Sequence, residues 1–167
     1  FQYKVTYQEH YNMLPMFCEQ KTTISLSSDG VVQLPPITVK RVVSKISYNL
    51  TAKPADLKLK SVQLISIPRT AVVFAPDGTA ADNPDDYTDS PETTLTGQRA
   101  AGSYYMLPNR QGVNTSITDQ KQKNVDNAPA CASWLLIRAT RGSKVLAYSV
   151  YLGENNTSDF NVRANSH

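Results

Sequence analysis

The sequence contains little of what most enzyme active sites use. It has two histidines, His10 and His167, two cysteines and one tryptophan among its 167 residues. Because His167 is the last residue, a nucleophilic triad would have to use His10. No glycine-rich nucleotide loop and no zinc-type cysteine spacing is present. We therefore expect no enzymatic activity, no cofactor and no bound metal ion.

Long apolar runs and a strong net charge are also missing. No apolar run approaches the roughly 20 residues that a transmembrane helix needs. The net charge of +3, from 17 basic and 14 acidic residues, is too small to favour nucleic-acid binding. The two cysteines, Cys18 and Cys131, lie far apart in the chain. They could form a disulfide in an exported protein or remain buried thiols, and the sequence leaves both readings open.

The residues that are abundant favour β-structure. Val, Ile and Thr together account for 36 residues, and nine Tyr join them. No stretch of a dozen residues has a sustained helical period. The ten Pro and seven Gly supply turns between short strands. We predict an all-β fold, an antiparallel β-sandwich with long loops, in a single module over 1–167 that we expect to be excised from a longer protein.

Alternating apolar residues locate the strands. The segments predicted as strands are 1–7, 22–26, 31–34, 37–51, 57–67, 71–74, 103–107, 132–139, 144–152 and 159–163. The apolar parity changes near Arg41–Val43, which predicts a bulge or twist there. The strand 57–67 has a parity change of its own, between Leu59 and Val62. The turn Thr140-Arg141-Gly142-Ser143 joins two of these segments and predicts a hairpin.

Residues 76–101 differ from the rest of the chain. Six carboxylates and no basic side chain fall between Asp77 and Glu92. We predict one long acidic loop over 76–101. The cluster in 82–86 offers several oxygen ligands for Ca²⁺, but it lacks the spacing of an EF-hand. We favour a solvated loop and expect calcium to have little effect on stability.

Three aromatic residues are weak candidates for contact with a sugar. Tyr104, Tyr105 and Trp134 could form a platform of the kind that β-sandwich binding modules present. Core packing is the interpretation that we prefer. Trp134 lies in a strand with a buried pattern, and adjacent residues such as Tyr104 and Tyr105 face opposite sides of a strand.

The C-terminal segment, residues 148–167, reads Tyr-Ser-Val-Tyr-Leu-Gly and then Asp-Phe-Asn-Val-Arg. It resembles the C-terminal signature of the fimbrillins, the type V pilin superfamily of Bacteroides-type bacteria. Two further segments, 39–46 and 104–112, are similar to a basic strand and an aromatic-Pro-Asn segment of that family. Ala164 stands where the family has a basic residue. Such pilins usually have two domains, whereas these landmarks fit within the length of one.

This resemblance implies a transthyretin-like sandwich and a structural function. The chain would be a subunit, or an accessory or tip module, of a cell-surface fimbria at the outer membrane. It would be exported, would assemble with other pilin subunits by strand donation, and would support adhesion to host or bacterial surface glycans or proteins. The alternative that the residues themselves leave open is a surface carbohydrate-binding β-sandwich module.

The last predicted strand, 159–163, is the part of the fold for which strand donation makes a structural prediction. Phe160 and Val162 share one parity, so we expect both side chains to face the core and both residues to contribute to the ladder that closes the sandwich. Asn161 and Arg163 should then face solvent. A sandwich that lacks a neighbouring strand exposes unpaired backbone groups and an apolar groove, and both recruit strands from other chains.

Overall fold

The fold consists almost entirely of antiparallel β-strands. A computed structural model describes residues 3–24, 29–30, 32, 34–78 and 80–167. The all-β prediction is confirmed: within these ranges the helical elements are two single 3-10 turns, Pro84–Asp86 and Gln120–Gln122. The strands are β1 Lys4–Thr6, β2 Met16–Phe17, β3 Lys40–Arg41, β4 Ser44–Thr51, β5 Leu57–Ile65, β6 Ile67–Pro68, β7 Thr70–Val72, β8 Tyr87–Thr88, β9 Thr93–Thr94, β10 Arg99–Met106, β11 Asn109–Val113, β12 Trp134–Arg141, β13 Lys144–Tyr151 and β14 Asp159–Val162.

The largest sheet has the strand order β13-β12-β5-β9. Strands β12 and β13 form the predicted hairpin, and their register runs from Trp134 opposite Tyr151 to Arg141 opposite Lys144. Gly142 in the connecting turn has φ +58°, a conformation that glycine adopts without steric cost. β13 has no neighbour on its other side within the described residues, so it is an edge strand.

A second layer, the ladder of β4 and β10, packs across this sheet. Even-numbered residues of both strands contact the core, because alternate side chains of a strand face the same side. The buried core residues between the layers are Ala52, Leu59, Val62, Leu64, Ile67, Met106, Leu135, Ile137 and Val162. This arrangement of two packed antiparallel layers is compatible with the predicted β-sandwich.

A backbone irregularity lies at each of the two changes in apolar parity. In the β5–β12 ladder, Arg138 pairs with Ser61 and the next residue, Ala139, pairs with Leu59, so Lys60 is an extra residue in β5. This bulge reverses the apolar parity of the strand. The predicted strand over 37–51 is divided into β3 and β4 by a bend at Val42–Val43, whose side chains are buried in a smaller cluster with Leu107.

The prediction of one long loop over 76–101 is wrong for its second half. There β8 pairs with β6, β9 pairs with β5, and β10 already begins at Arg99. Ser90 between them is buried and exchanges two hydrogen bonds with the backbone of Leu64. The second half of 76–101 has the composition of a loop, but it forms strands because it pairs with strands that are distant in the sequence. The six carboxylates themselves are exposed.

The N-terminal predictions are met only in part. Of the alternating segment 1–7, β1 covers Lys4–Thr6 and pairs with β7. Three parts of the predicted strands lie outside the described residues: Phe1, residues 25–26 and half of 31–34. Residues 22–24 are described and do not belong to a strand. In the part of the chain that is described, no helix is long and apolar enough to cross a membrane.

Candidate functional site

Strand β14 lies at the junction of two apolar clusters. It pairs with β11, with Val162 opposite Asn109 and Asn161 opposite Arg110. Phe160 is 1% exposed and packs with Ile117 and Ala132, whereas Val162 is 5% exposed and belongs to the main core. The two side chains thus join the main sandwich to the long connection between β11 and β12, residues 114–133, which we call the β11–β12 loop.

The expectation that Asn161 faces solvent is wrong. This residue is 5% exposed. Its amide nitrogen donates to the Gly112 carbonyl at 3.2 Å and to Asp159 Oδ2 at 2.8 Å, and its amide oxygen accepts from the Gly112 N–H at 2.9 Å. Asn161 stays buried because its amide is hydrogen-bonded to a β11 backbone that bulges between Arg110 and Val113.

Asp159 organises the turn before β14. Its Oδ1 atom accepts hydrogen bonds from the backbone N–H of Glu154 at 2.9 Å and of Asn161 at 2.8 Å. Lys123 closes the same turn from the β11–β12 loop: its Nζ donates to the Asn155 carbonyl at 2.7 Å and lies 5.1 Å from the centre of the Phe160 ring. Burial lowers the pKa of Lys123, and the Asp159 carboxylate opposes this shift.

After β14 the chain runs beside the start of β4. The Asn165 N–H donates to the Val43 carbonyl at 3.1 Å, the Lys45 N–H donates to the Ser166 carbonyl at 3.1 Å, and the Ser47 hydroxyl lies 2.7 Å from His167 Nε2. Along these contacts the residue numbers of both segments increase in the same direction. The C-terminal tail, residues 163–167, therefore runs parallel to β4. The tail therefore covers the free edge of β4 only as far as Ser47.

Beyond Ser47 the edge of β4 is open. Alternate residues of a strand direct their N–H and C=O groups to opposite edges, and Lys45 directs its N–H to the tail rather than to β10. The backbone groups of Asn49 and Thr51 therefore point to the same open edge, where no described residue bonds to them. Their side chains are exposed as well.

The inner face of β13 lies next to this open edge. Leu146, Tyr148 and Val150 are opposite Ala139, Ile137 and Leu135, which face the core, and paired residues share a face. Tyr148 and Val150 are nevertheless 45% and 47% exposed. The hydroxyl of Tyr104 in β10 contacts the Val62 carbonyl of β5 and Thr93 of β9, so β10 lies over β5 and β9. Ile46 of β4 lines a cavity with Leu152, just after β13, so β4 lies on the β12 side of β10. The second layer thus leaves Tyr148 and Val150 uncovered.

We call this feature the edge groove: the open edge of β4 at Asn49 and Thr51, together with the inner face of β13 at Leu146, Tyr148 and Val150. A cavity of about 270 Å³ lies at its end, between Ile46 of β4 and Leu152 just after β13. His167 also lines this cavity. The groove thus combines unpaired backbone groups with an uncovered apolar floor.

The structure does not bring the three candidate aromatic residues together. Tyr104 packs on the core, and its hydroxyl lies 3.0 Å from the Val62 carbonyl and 2.9 Å from Thr93 Oγ1. Tyr105 points to the other side of β10, against the smaller cluster of Val42, Val43 and Leu107. Trp134 lies on the outer face of the large sheet, with its ring centre 5.8 Å from that of Tyr151.

Trp134 borders a cleft that sequence analysis missed. The cleft has a volume of about 500 Å³ and is lined also by Ser66, Arg69, Thr88 and Asp89. We call it the Trp134 cleft. Only the tryptophan was a candidate from the sequence. The polar residues of the cleft lie in or beside the two-residue strands β6 and β8, which are too short to give a recognisable sequence pattern.

The thiols and carboxylates form no reactive group in the described residues. Cys18 and Cys131 are free, and burial raises the pKa of the Cys131 thiol. Within the described ranges no three His, Cys, Asp or Glu side chains are placed to hold a metal ion. In the 82–86 cluster the Asn83 side chain caps the 3-10 turn by accepting from the Asp85 N–H at 3.1 Å. The small effect expected for calcium stays a prediction.

Comparisons with known proteins connect the C-terminal part of the chain to a family. The family described as "Domain of unknown function (DUF4906)" matches residues 104–167. No match was found among curated proteins or solved structures. The matched residues begin in β10 and include the segments 104–112 and 148–167 that the sequence analysis singled out. The region of similarity therefore contains β13, β14 and the tail, which border the edge groove.

Proposed function

We propose that this protein is a structural subunit, or an accessory or tip module, of a cell-surface fimbria of the fimbrillin type. In this proposal it is exported to the outer membrane, has a transthyretin-like sandwich and assembles with other pilin subunits by strand donation. Adhesion to glycans or proteins of host or bacterial surfaces would follow from its place in the fimbria. No nucleic acid and no catalysis are involved.

The edge groove is the observation that carries the proposal. A strand from another subunit would bond to the open N–H and C=O groups of Asn49 and Thr51, and its alternate apolar side chains would cover Tyr148 and Val150. An exposed apolar edge of this kind is a liability in a protein that works alone. The resemblance of 148–167 to the fimbrillin signature supports the same reading.

A pair of valines on β13 tests the groove. Val150 is on the inner face, and Val145 is on the outer face of the same strand with 77% exposure. In size-exclusion chromatography with light scattering, the chain should form oligomers or join purified subunits as its concentration rises. Val150→Asp should abolish this association, whereas Val145→Asp, an equal change in charge and size, should leave it intact.

Amide hydrogen exchange tests whether the contact is a strand pairing. In the assembled state the amides of Asn49 and Thr51 should exchange at least about tenfold more slowly than in the monomer. The amides of Tyr48 and Leu50 bond to β10 in both states and serve as internal controls. Assembly without slower exchange at Asn49 and Thr51 would contradict strand donation at this edge. Absence of the chain from the surface of intact cells that produce it would contradict the fimbrial function.

A further inference from the structure

The Trp134 cleft has the features of a small binding site. The residues that line it include an aromatic ring, a guanidinium and a carboxylate, from Trp134, Arg69 and Asp89. Its volume of about 500 Å³ lies within the range of ligand pockets. Trp134 is half-buried in a row on the outer face of the sheet, between Ile65 and Tyr151, and its ring packs beside that of Tyr151.

The polar groups at the rim are only partly engaged. Asp89 accepts one hydrogen bond, from the Ser66 N–H to Oδ1 at 3.0 Å, and Oδ2 has no partner among the described residues. Arg69 donates from Nε to the Asp85 carbonyl at 3.1 Å, and its two terminal nitrogens have none. These two residues form no ion pair with each other. An acceptor and a pair of donors therefore remain available beside the aromatic ring.

The floor of the cleft holds a strained residue. Ser66 has φ +60°, which is uncommon for a residue other than glycine. Three contacts hold it there: the bond to Asp89, its hydroxyl donating to the Cys131 carbonyl at 2.9 Å, and the Ser133 hydroxyl donating to its carbonyl at 2.6 Å. Such strain is concentrated at functional sites, because elsewhere a relaxed backbone would be more stable.

Buried groups support this floor from behind. Asn109, fully buried, donates to the Cys131 carbonyl and to the Ser133 hydroxyl, both at 2.8 Å. Tyr87 and Gln111 complete the network around the Asn109 amide oxygen. The backbone under the cleft is thus fixed before any ligand arrives, which lowers the ordering cost of binding.

We propose that the Trp134 cleft binds one pyranose ring of a neutral carbohydrate. The apolar face of a sugar ring packs on the indole, and adjacent hydroxyl groups bond to the Asp89 carboxylate and the Arg69 guanidinium. The mixed charge argues against an anionic ligand, because the two charged residues that line the cleft, Arg69 and Asp89, carry opposite charges. A metal ion is disfavoured by the same basic group. This inference does not rest on the fimbrial proposal.

The single tryptophan makes the test direct, because emission excited at the red edge of the absorption band, where the nine tyrosines absorb little, comes from Trp134. The purified chain is titrated with glucose, galactose, mannose, N-acetylglucosamine and N-acetylgalactosamine, and is then applied to an array of neutral oligosaccharides. We expect saturable changes in emission for at least one of these sugars. Arg69→Gln and Asp89→Asn should each weaken that binding roughly tenfold.

Matched variants separate the cleft from other surfaces. Asp89→Asn retains an oxygen that can accept from the Ser66 N–H, so it removes the charge with little change to the floor. Tyr104→Phe and the groove variant Val150→Asp should bind sugar like the unaltered chain. Array binding that survives Trp134→Leu, or that is lost in Tyr104→Phe, would overturn the proposal. So would an absence of response to every neutral sugar, or a fluorescence response to peptides alone.

Discussion

A Cβ atom placed on Gly153 would lie 1.9 Å from the carbonyl oxygen of Asp159. Gly153 also has φ +153°, a conformation that residues with a side chain rarely adopt. The close approach is possible because the turn between β13 and β14 folds back on itself, held by the bonds from Glu154 and Asn161 to Asp159. The Tyr-Leu-Gly and Asp-Phe-Asn segments of the sequence are therefore two halves of one packed turn.

The first prediction concerns this glycine. Gly153→Ala should destabilise the protein by about 3 kcal/mol or more, since the atom in the way is backbone and cannot move aside. Gly142→Ala is the control, because Gly142 has φ +58° but open space around it, and it should cost about 1 kcal/mol. Urea melts of the two variants measure the difference. Equal midpoints would show that the turn relaxes around the new side chain.

Local patterns were sufficient where strands are long and adjacent in the chain. The β12–β13 hairpin was predictable because Leu135, Ile137 and Ala139 alternate with partly exposed residues and a Gly-Ser turn follows. β8 and β9 could not be predicted. Each has two residues, and each exists only because a strand far away in sequence offers it a partner. No local propensity encodes such long-range pairing.

The second prediction concerns Phe160, whose ring packs edge-on against Tyr151 with 6.0 Å between ring centres. Phe160→Ala should cost about 3–5 kcal/mol, because the side chain is fully buried and leaves a cavity. Phe74→Ala is the matched control: Phe74 is 52% exposed, and its removal should cost less than about 1 kcal/mol. Thermal melts at one protein concentration measure both. A harmless Phe160→Ala would mean that β14 is a loose segment.

The polar part of the site was less predictable than its apolar part. The alternation of side chains along the strand predicted Phe160 inside and Asn161 outside. Alternation does not show that the backbone of a distant residue lies where it can bond to the Asn161 amide. The partner of Asn161 is Gly112, which is 49 residues away and has φ +88°. Likewise, Arg69 and Asp89 meet in the Trp134 cleft only because β6 and β8 pair.

The third prediction is a coupling between Asp159 and Asn161. Their side chains bond to each other at 2.8 Å, so each loses a partner when the other is replaced. Asn161→Ala and Asp159→Ala should each cost about 2–3 kcal/mol, since each leaves a buried polar group with one bond fewer. The double variant should cost at least about 1 kcal/mol less than the sum. Additive losses in a denaturant-based double-mutant cycle would contradict this coupling.

The fourth prediction concerns alkaline pH. Burial is the main cause that raises the pKa of Tyr7 and of Tyr87 from 10.0 to about 12. The folded state therefore holds these two protons more tightly than the unfolded state, whose tyrosines ionise near pH 10. Their contribution to stability is fully present below pH 10 and is lost as the pH rises from about 10 to about 12.

Urea melts in steps between pH 8 and pH 12, with tyrosine ionisation followed by ultraviolet absorbance, should show this loss above about pH 10. Tyr87→Phe should lower stability at every pH, because the hydroxyl donates to the Ala81 carbonyl at 2.6 Å and accepts from Gln111 at 2.9 Å. The same variant should make the alkaline decline shallower, since about one proton fewer is released on unfolding. A decline as steep as that of the unaltered chain would show that Tyr87 does not contribute, and flat stability up to pH 12 would contradict both assignments.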